Sequence, residues 1–88
     1  MNSRYYLFTF ESTHAAIAAQ KLLSPLGVII MPTLREISAS CGMSLRTKVE
    51  LLPRAKELMQ SSSIDPALYD LYLVEQQDGK ITCTPVSM

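Results

Sequence analysis

Near its start the chain reads Tyr5-Tyr6-Leu7-Phe8-Thr9-Phe10-Glu11-Ser12-Thr13-His14-Ala15-Ala16. Residues 4–10 are rich in aromatic and aliphatic side chains at successive positions, which is typical of a central strand covered on at least one side. Ser12 or Thr13 is a helix N-cap residue, and residues 14–24 contain strong helix formers with a stop signal at Pro25 and Gly27. The segment therefore predicts a strand that leads directly into a helix.

The rest of the chain continues this alternation. Residues 28–31 and 43–47 predict a second and a third strand, and a second helix is expected to begin between Glu50 and Pro53. Residues 69–75 predict a fourth strand, and the turn signal Asp78-Gly79 predicts that residues 81–84 fold back as an additional C-terminal edge strand.

The resulting order, β-α-β-β-α-β with one further strand, predicts an α+β fold of the ferredoxin-like class, a two-layer sandwich. Right-handed crossovers would place the first and third strands side by side in the centre, antiparallel to each other. The fourth strand would then flank the first, and the second strand would flank the third.

The length and charge of the chain exclude several classes of protein. Eighty-eight residues are expected to form one domain, 1–88, in which residues 77–88 are a turn and a C-terminal extension. The formal net charge of zero argues against binding to nucleic acid or to an anionic membrane. An RNA-binding sheet also needs aromatic side chains on both central strands, and residues 43–47 have none.

No apolar run reaches the ~20 residues of a membrane span, and no targeting signal is visible, so we expect a cytoplasmic protein.

Two cysteines, Cys41 and Cys83, are too few for a disulfide scaffold, and we expect both to be thiols in a reducing compartment. Because His14 is the single histidine, a closed zinc site within one monomer is not expected. No phosphate-binding glycine-rich loop is present either, since the three glycines are isolated. The sequence predicts no metal and no cofactor.

The predicted layout brings Cys41 to the sheet edge at which the first helix begins. A helix N-terminus carries unpaired N–H groups and a partial positive charge, and such surroundings make a thiol more acidic and more reactive. The residues expected to surround the thiol there are Thr13, His14, Arg35, Ser38, Ser40 and Gly42.

Five of these residues have a specific expected contribution. Arg35 and a protonated His14 would add positive charge, and Ser38 and Ser40 would add hydroxyl donors. Gly42 would allow either a backbone conformation forbidden to other residues or the close approach of a substrate. A Cys41–His14 dyad is the one catalytic pair that the sequence supports, and it predicts that His14→Ala raises the pKa of the thiol.

The same residues also have an ordinary structural interpretation. Most unpaired cysteines are inert and buried, His14 can be a solvated first-turn residue, and Arg35 can pair with Glu36 at the surface. Cys83 is expected on the outer edge strand, far from Cys41, so the two are predicted not to form a disulfide within one chain.

Two stretches resemble a known family. They are Phe8-Thr9-Phe10-Glu11-Ser12-Thr13-His14-Ala15-Ala16 and Pro32-Thr33-Leu34-Arg35-Glu36-Ile37-Ser38-Ala39-Ser40-Cys41-Gly42-Met43-Ser44-Leu45. Together they resemble the putative selenium/sulfur carrier protein-like family over about residues 5–72. The resemblance implies that Cys41 carries sulfur or selenium as a persulfide or selenosulfide, and Arg35, Ser38 and Gly42 match the flanking signature. The tail beyond Asp78, with Cys83, lies outside the pattern.

Two functions therefore remain open. The first is a carrier that exchanges the atom between donor and acceptor proteins through Cys41, and such a protein is an accessory protein rather than a stand-alone enzyme. The second is a non-catalytic ferredoxin-like module that binds a ligand or another protein, with Cys41 structural and with a homodimer formed through the apolar edge at residues 28–31.

Overall fold

The computed structural model of the chain describes residues 3–35, 37 and 42–87. Five strands and two helices make up most of this part of the chain, and short 3-10 turns at Ser24–Leu26, Val49–Leu51 and Pro66–Leu68 complete it. In chain order the elements are β1 (Ser3–Phe10), α1 (Thr13–Leu23), β2 (Ile29–Pro32), β3 (Met43–Thr47), α2 (Leu52–Ser61), β4 (Tyr69–Gln77) and β5 (Lys80–Pro85).

The five strands form one antiparallel sheet in the order β2-β3-β1-β4-β5. The neighbours predicted for the first four strands are those observed, and the predicted α+β class is confirmed. The arrangement is compatible with a ferredoxin-like fold, to which β5 adds an outer strand. The predicted Asp78-Gly79 turn joins β4 to β5, and both residues have the positive φ (50° and 81°) that a tight hairpin turn favours.

The predicted start of α1 is confirmed by its cap. The side chain of Ser12 accepts a hydrogen bond from the backbone N–H of Ala15 at 3.1 Å, which satisfies one of the orphan donors of the first turn. After α1 the chain makes a 3-10 turn and reverses at Gly27, whose φ of 70° is left-handed.

Both helices pack on one face of the sheet. The small side chains Ala15, Ala16 and Ala19 of α1 are buried there, which allows the helix to approach the strands closely. Phe8, Phe10 and Tyr69 supply the aromatic part of this core, and the rings of Phe8 and Tyr69 meet edge to face with centroids 6.3 Å apart. The other buried members of this cluster are Leu23, Leu45, Leu52, Ala55, Met59 and Leu71.

The opposite side of the sheet, here called the helix-free face, has its own apolar cluster. Tyr5, Leu7 and Val74 are buried there, because successive residues of a strand alternate between the two faces. The residues that pack against these three come from β2, from β5 and from the β2–β3 connection (residues 33–42): Met31, Leu34, Ile37, Ile81 and Cys83. Leu34 and Ile37 of the β2–β3 connection therefore pack on the helix-free face, an arrangement that the sequence did not indicate.

Candidate functional site

Thr33 and Gly42 close the two ends of the β2–β3 connection. The N–H of Thr33 donates a hydrogen bond to the carbonyl oxygen of Gly42 at 2.9 Å, one residue beyond the pairing of Pro32 with Met43. The ladder between β2 and β3 thus continues to the point where the connection begins. Because Cys41 directly precedes Gly42 in the chain, this hydrogen bond holds the backbone one residue away from the candidate thiol.

A pair of hydroxyl groups lies at the same point. The Oγ1 atom of Thr33 and the Oγ atom of Ser44 are 2.7 Å apart, within hydrogen-bond distance. Ser44 is fully buried, with 0% of its surface exposed, and it lies opposite Thr9 of β1 and Met31 of β2 on the helix-free face. Thr33, Gly42 and Ser44 are called the neck from here on.

The sequence missed this pair. The alternation in residues 43–47 assigns Ser44 to the polar face of a half-buried strand, where it would be expected to contact solvent. The signal that would have found the pair is the hairpin register, since pairing residue 32 with residue 43 places residue 33 beside the start of β3.

The reason for a glycine at position 42 is now clear. A Cβ atom built on Gly42 would lie 3.0 Å from the Thr33 Oγ1 and 3.5 Å from the carbonyl oxygen of Phe10. Among the described residues, the glycines with a positive φ are Gly27 and Gly79. A glycine suits position 42 because the Thr33 side chain lies close to the place that a Cβ atom would occupy.

The N-terminus of α1 lies at the same end of the sheet as the neck. Phe10, whose carbonyl oxygen is close to Gly42, ends β1, and the Ser12 cap follows two residues later. Thr13 and His14 are exposed in the first turn of α1. Their backbone N–H groups make no hydrogen bond with another described residue, as is usual in the first turn of a helix.

The remaining predicted site residues belong to the β2–β3 connection. Arg35 is exposed in a turn that closes with a hydrogen bond from the N–H of Ile37 to the carbonyl oxygen of Leu34 at 3.0 Å. Ser38, Ser40 and Cys41 lie outside the described residues.

The described residues do not bring the two halves of the predicted site into contact. Among residues 3–35, 37 and 42–87, no hydrogen bond or ion pair joins Arg35 to Thr13 or His14. Leu34 and Ile37 pack on the helix-free face, whereas α1 packs on the other. A cup formed jointly by α1 and the β2–β3 connection therefore stays a prediction.

A second cation, Arg46, lies on the helix-free face. Its guanidinium carbon is 4.3 Å from the centroid of the Tyr5 ring, which is the geometry of a cation–π contact. Arg46 of β3 is paired with Leu7 of β1. This contact places a positive charge beside the cluster on which Leu34 and Ile37 pack.

Cys83 lies on β5, the predicted outer edge strand. It is half-buried, and it pairs with Val74, which in turn pairs with Tyr5. Gly42 lies three strands away and beyond the Phe10–Met43 pair. With about 3.3 Å per residue and about 4.8 Å per strand, the Cα atoms of Gly42 and Cys83 are on the order of 20 Å apart.

Residues 3–35, 37 and 42–87 contain no group of three or more His, Cys, Asp or Glu side chains arranged to hold a metal ion. The described part of the chain has no helix that is long and apolar enough to cross a membrane.

Comparison with family models gives one result that bears on the site. The model of a family described as putative Se/S carrier protein-like matches residues 5–69 of this chain. Comparison with curated proteins and with solved structures gave no match. The matched range contains α1, the neck and the whole β2–β3 connection.

Proposed function

The chain belongs to the putative Se/S carrier protein-like family, and on this premise we propose that it carries sulfur or selenium as a persulfide or selenosulfide on Cys41. The observation that carries the proposal is the position of the cysteines. The chain has two, and the range matched by the family model contains only Cys41. Cys83 lies beyond it, on the outer strand.

The chemistry needs one reactive thiolate and no bound cofactor. In loading, the Cys41 thiolate attacks the terminal sulfur of a persulfide on a donor. A new S–S bond forms, the donor S–S bond breaks, and the donor leaves as a thiolate. In delivery, a nucleophile on the acceptor attacks the same terminal atom, and Cys41 is released as a thiolate. A selenium atom follows the same path through a selenosulfide. No net oxidation occurs, because the atom moves without a change in the total number of electrons.

The proposed surroundings would stabilise the anionic forms of Cys41. The first-turn N–H groups of Thr13 and His14, which make no hydrogen bond within the described part of the chain, are at the same end of the sheet as Gly42, and this supports a role for the α1 N-terminus. Arg35, six residues before Cys41, would supply a permanent positive charge, and Ser38 and Ser40 would supply hydroxyl donors. Each interaction favours the thiolate or the persulfide anion over its protonated form, and so lowers the pKa of the Cys41 thiol or persulfide.

The partners implied are donor and acceptor proteins, and the chain is proposed to be an accessory protein with a single ferredoxin-like domain. A reducing compartment such as the cytoplasm would keep both cysteines available as thiols. A disulfide with a partner would otherwise compete with persulfide formation.

One observation favours the alternative of a protein-interaction module. Ile29, on the edge strand β2, is 58% exposed and faces outward from an apolar strand. An exposed apolar edge can pair with a second copy of the chain. Pro32, in the same strand, opposes this pairing because it has no N–H to donate.

The test is a sulfur-loading experiment with matched variants. The reduced protein is incubated with a persulfide-generating desulfurase, and intact mass is measured for wild type, Cys41→Ser and Cys83→Ser. The proposal expects a sulfur-sized mass gain in wild type and in Cys83→Ser and none in Cys41→Ser. If Cys41 does not gain mass, and also resists alkylation until the protein is unfolded, it is a structural thiol and the interaction module is the better account.

A further inference from the structure

We infer that two copies of this chain pair through β2, strand against strand, about a two-fold axis at Ile29. β2 and β5 are the outer strands of the sheet that the described residues form. An outer strand has a row of backbone N–H and C=O groups that face no neighbouring strand, and a further strand can bind to them. The inference concerns this edge and not Cys41, so it does not depend on the carrier role.

The hydrogen bond between Thr33 and Gly42 indicates which backbone groups of β2 point away from the sheet. Because the N–H of Thr33 is its donor, the backbone groups of residue 33 face β3, and in an antiparallel ladder those of every second residue along β2 face the same way. The groups of the alternate residues, Ile30 and Val28, therefore face the open edge. The side chains of both pack on the helix side of the sheet, so the alternation extends back to Val28.

The residues at the two ends of this stretch limit which pairing is possible. Gly27 has a left-handed φ of 70°, so the extended segment begins after it. Pro32 has no N–H to donate to a neighbouring strand. Pro32 therefore opposes pairing along the whole strand and confines it to residues 28–30.

Within residues 28–30 the edge is complementary to itself. When Ile29 lies on the two-fold axis, Val28 of each copy is opposite Ile30 of the other. Every outward N–H group of one copy then has a carbonyl oxygen of the other opposite it. A pattern that matches its own copy in this way is what a two-fold symmetric contact requires, and it identifies the partner strand as a second copy of β2.

The side chain on the axis also suits contact between two copies. Ile29 is 58% exposed in the single chain. Its own backbone groups face β3, so Ile29 and its copy would form a non-hydrogen-bonded pair, in which the Cβ atoms are about 4.5–5.5 Å apart. Each Ile29 would thus cover the exposed side chain of the other.

Charge favours β2 over the other outer strand. Residues 24–33 contain no Lys, Arg, Asp or Glu, so no like charges meet when two copies pair there. β5 begins with the exposed Lys80, and its other exposed side chains are Thr82, Thr84 and Pro85. Lysine and proline are residues that natural sheets place on edges that stay unpaired.

The first experiment measures molecular mass by analytical ultracentrifugation of the reduced full-length protein between about 10 µM and about 1 mM, a range suited to a small contact. Wild type should approach the mass of a dimer as its concentration rises. Ile29→Lys places two like charges opposite each other on the axis and should weaken the dimer by at least about tenfold. Ile17→Lys is the matched control, because Ile17 is also an exposed isoleucine but lies on α1, and it should behave as wild type.

The second experiment tests the register by cross-linking. Ile29→Cys and the control Ile17→Cys are made in a chain that also carries Cys41→Ser and Cys83→Ser. The Cα atoms of a non-hydrogen-bonded pair are about 4.5 Å apart, which is within the range of a disulfide. Mild oxidation should therefore convert Ile29→Cys to a covalent dimer, while Ile17→Cys stays a monomer.

Three results would overturn the inference. The first is a wild-type mass that stays that of a monomer up to about 1 mM, the result also expected if the edge binds a strand of a different protein. The second is an equal loss of the dimer in Ile29→Lys and Ile17→Lys. The third is cross-linking of Ile29→Cys that does not exceed that of Ile17→Cys.

Discussion

Replacement of Gly42 by alanine is the sharpest single perturbation of the neck. The added Cβ would stand 3.0 Å from Thr33 Oγ1, a distance that forces the hydroxyl to move by a few tenths of an ångström. The second close atom, the Phe10 carbonyl oxygen at 3.5 Å, is an ordinary van der Waals contact. The effect of the substitution on stability therefore depends almost entirely on whether the Thr33 hydroxyl can move away from the added Cβ atom.

Two opposing contributions determine the change in the free energy of unfolding. Where the backbone conformation is open to alanine, replacement of a glycine stabilises by about 0.4–1 kcal/mol through the unfolded chain. Displacing Thr33 Oγ1 from Ser44, which is fully buried, costs about 1–3 kcal/mol. The net expectation is a destabilisation of about 1 kcal/mol, and for a domain of this size the melting temperature falls by roughly 4–8 °C.

The assay is thermal and urea unfolding of a double-mutant cycle with Thr33→Ala. In the Thr33→Ala background the obstructing hydroxyl is gone, so Gly42→Ala should become neutral or stabilising by up to about 1 kcal/mol. This change of sign is the signature of the contact. The reasoning is refuted if Gly42→Ala costs the same in both backgrounds, or if it stabilises the protein that retains Thr33.

Three further expectations concern the rest of the molecule. Ser12→Ala removes the side-chain cap of α1 and should destabilise by about 1 kcal/mol in urea unfolding, whereas Ser12→Asp should retain most of the stability; equal losses in both variants would contradict the capping role. Burial raises the pKa of Tyr69 above its ordinary value near 10. The stability that the neutral side chain contributes is therefore complete below pH 10 and is lost as pH rises through the folded-state pKa. Tyr69→Phe should make the free energy of unfolding fall less steeply at alkaline pH, and an unchanged slope would show that Tyr69 does not cause the fall. Arg35→Gln should raise the pKa of the Cys41 thiol and slow sulfur loading while Arg35→Lys retains most of the rate, as measured by alkylation and intact mass; equal rates in all three proteins would remove Arg35 from the site.

The sequence predicted the fold well because its signals are local. The apolar run before Ser12, the cap itself and the Asp78-Gly79 turn each specify a structure within a few residues, and the order of elements then determines the neighbours in the sheet. Which alanines of α1 are buried did not follow from the helix formers alone, because the buried side of the helix is offset: Ala16 is buried whereas Ala18 is half-buried. This offset reflects how the helix is rotated against the sheet, which depends on tertiary packing.

The candidate site was predicted only in part, because its geometry depends on contacts between residues distant in sequence. That Gly42 lies at the same end of the sheet as the α1 N-terminus followed from topology. The burial of Ser44, its contact with Thr33 and the packing of Leu34 on the helix-free face did not follow from any periodicity. Gly42 is an example. The glycine itself is visible in the sequence, but the neighbouring Thr33 side chain, which leaves little space for a Cβ atom, is known only from the structure.

The most direct test of the central claim follows one heavy sulfur atom through a complete cycle. Wild type and Cys83→Ser are loaded with ³⁴S from a labelled persulfide donor, separated from the donor and mixed with an excess of a thiol acceptor, and both products are analysed by mass spectrometry. The account predicts that the label is found on Cys41, that it appears on the acceptor in equal amount, and that the chain returns to its original mass. Label that stays on the chain until it is unfolded and reduced, or that is found on Cys83 of wild type, would contradict the account.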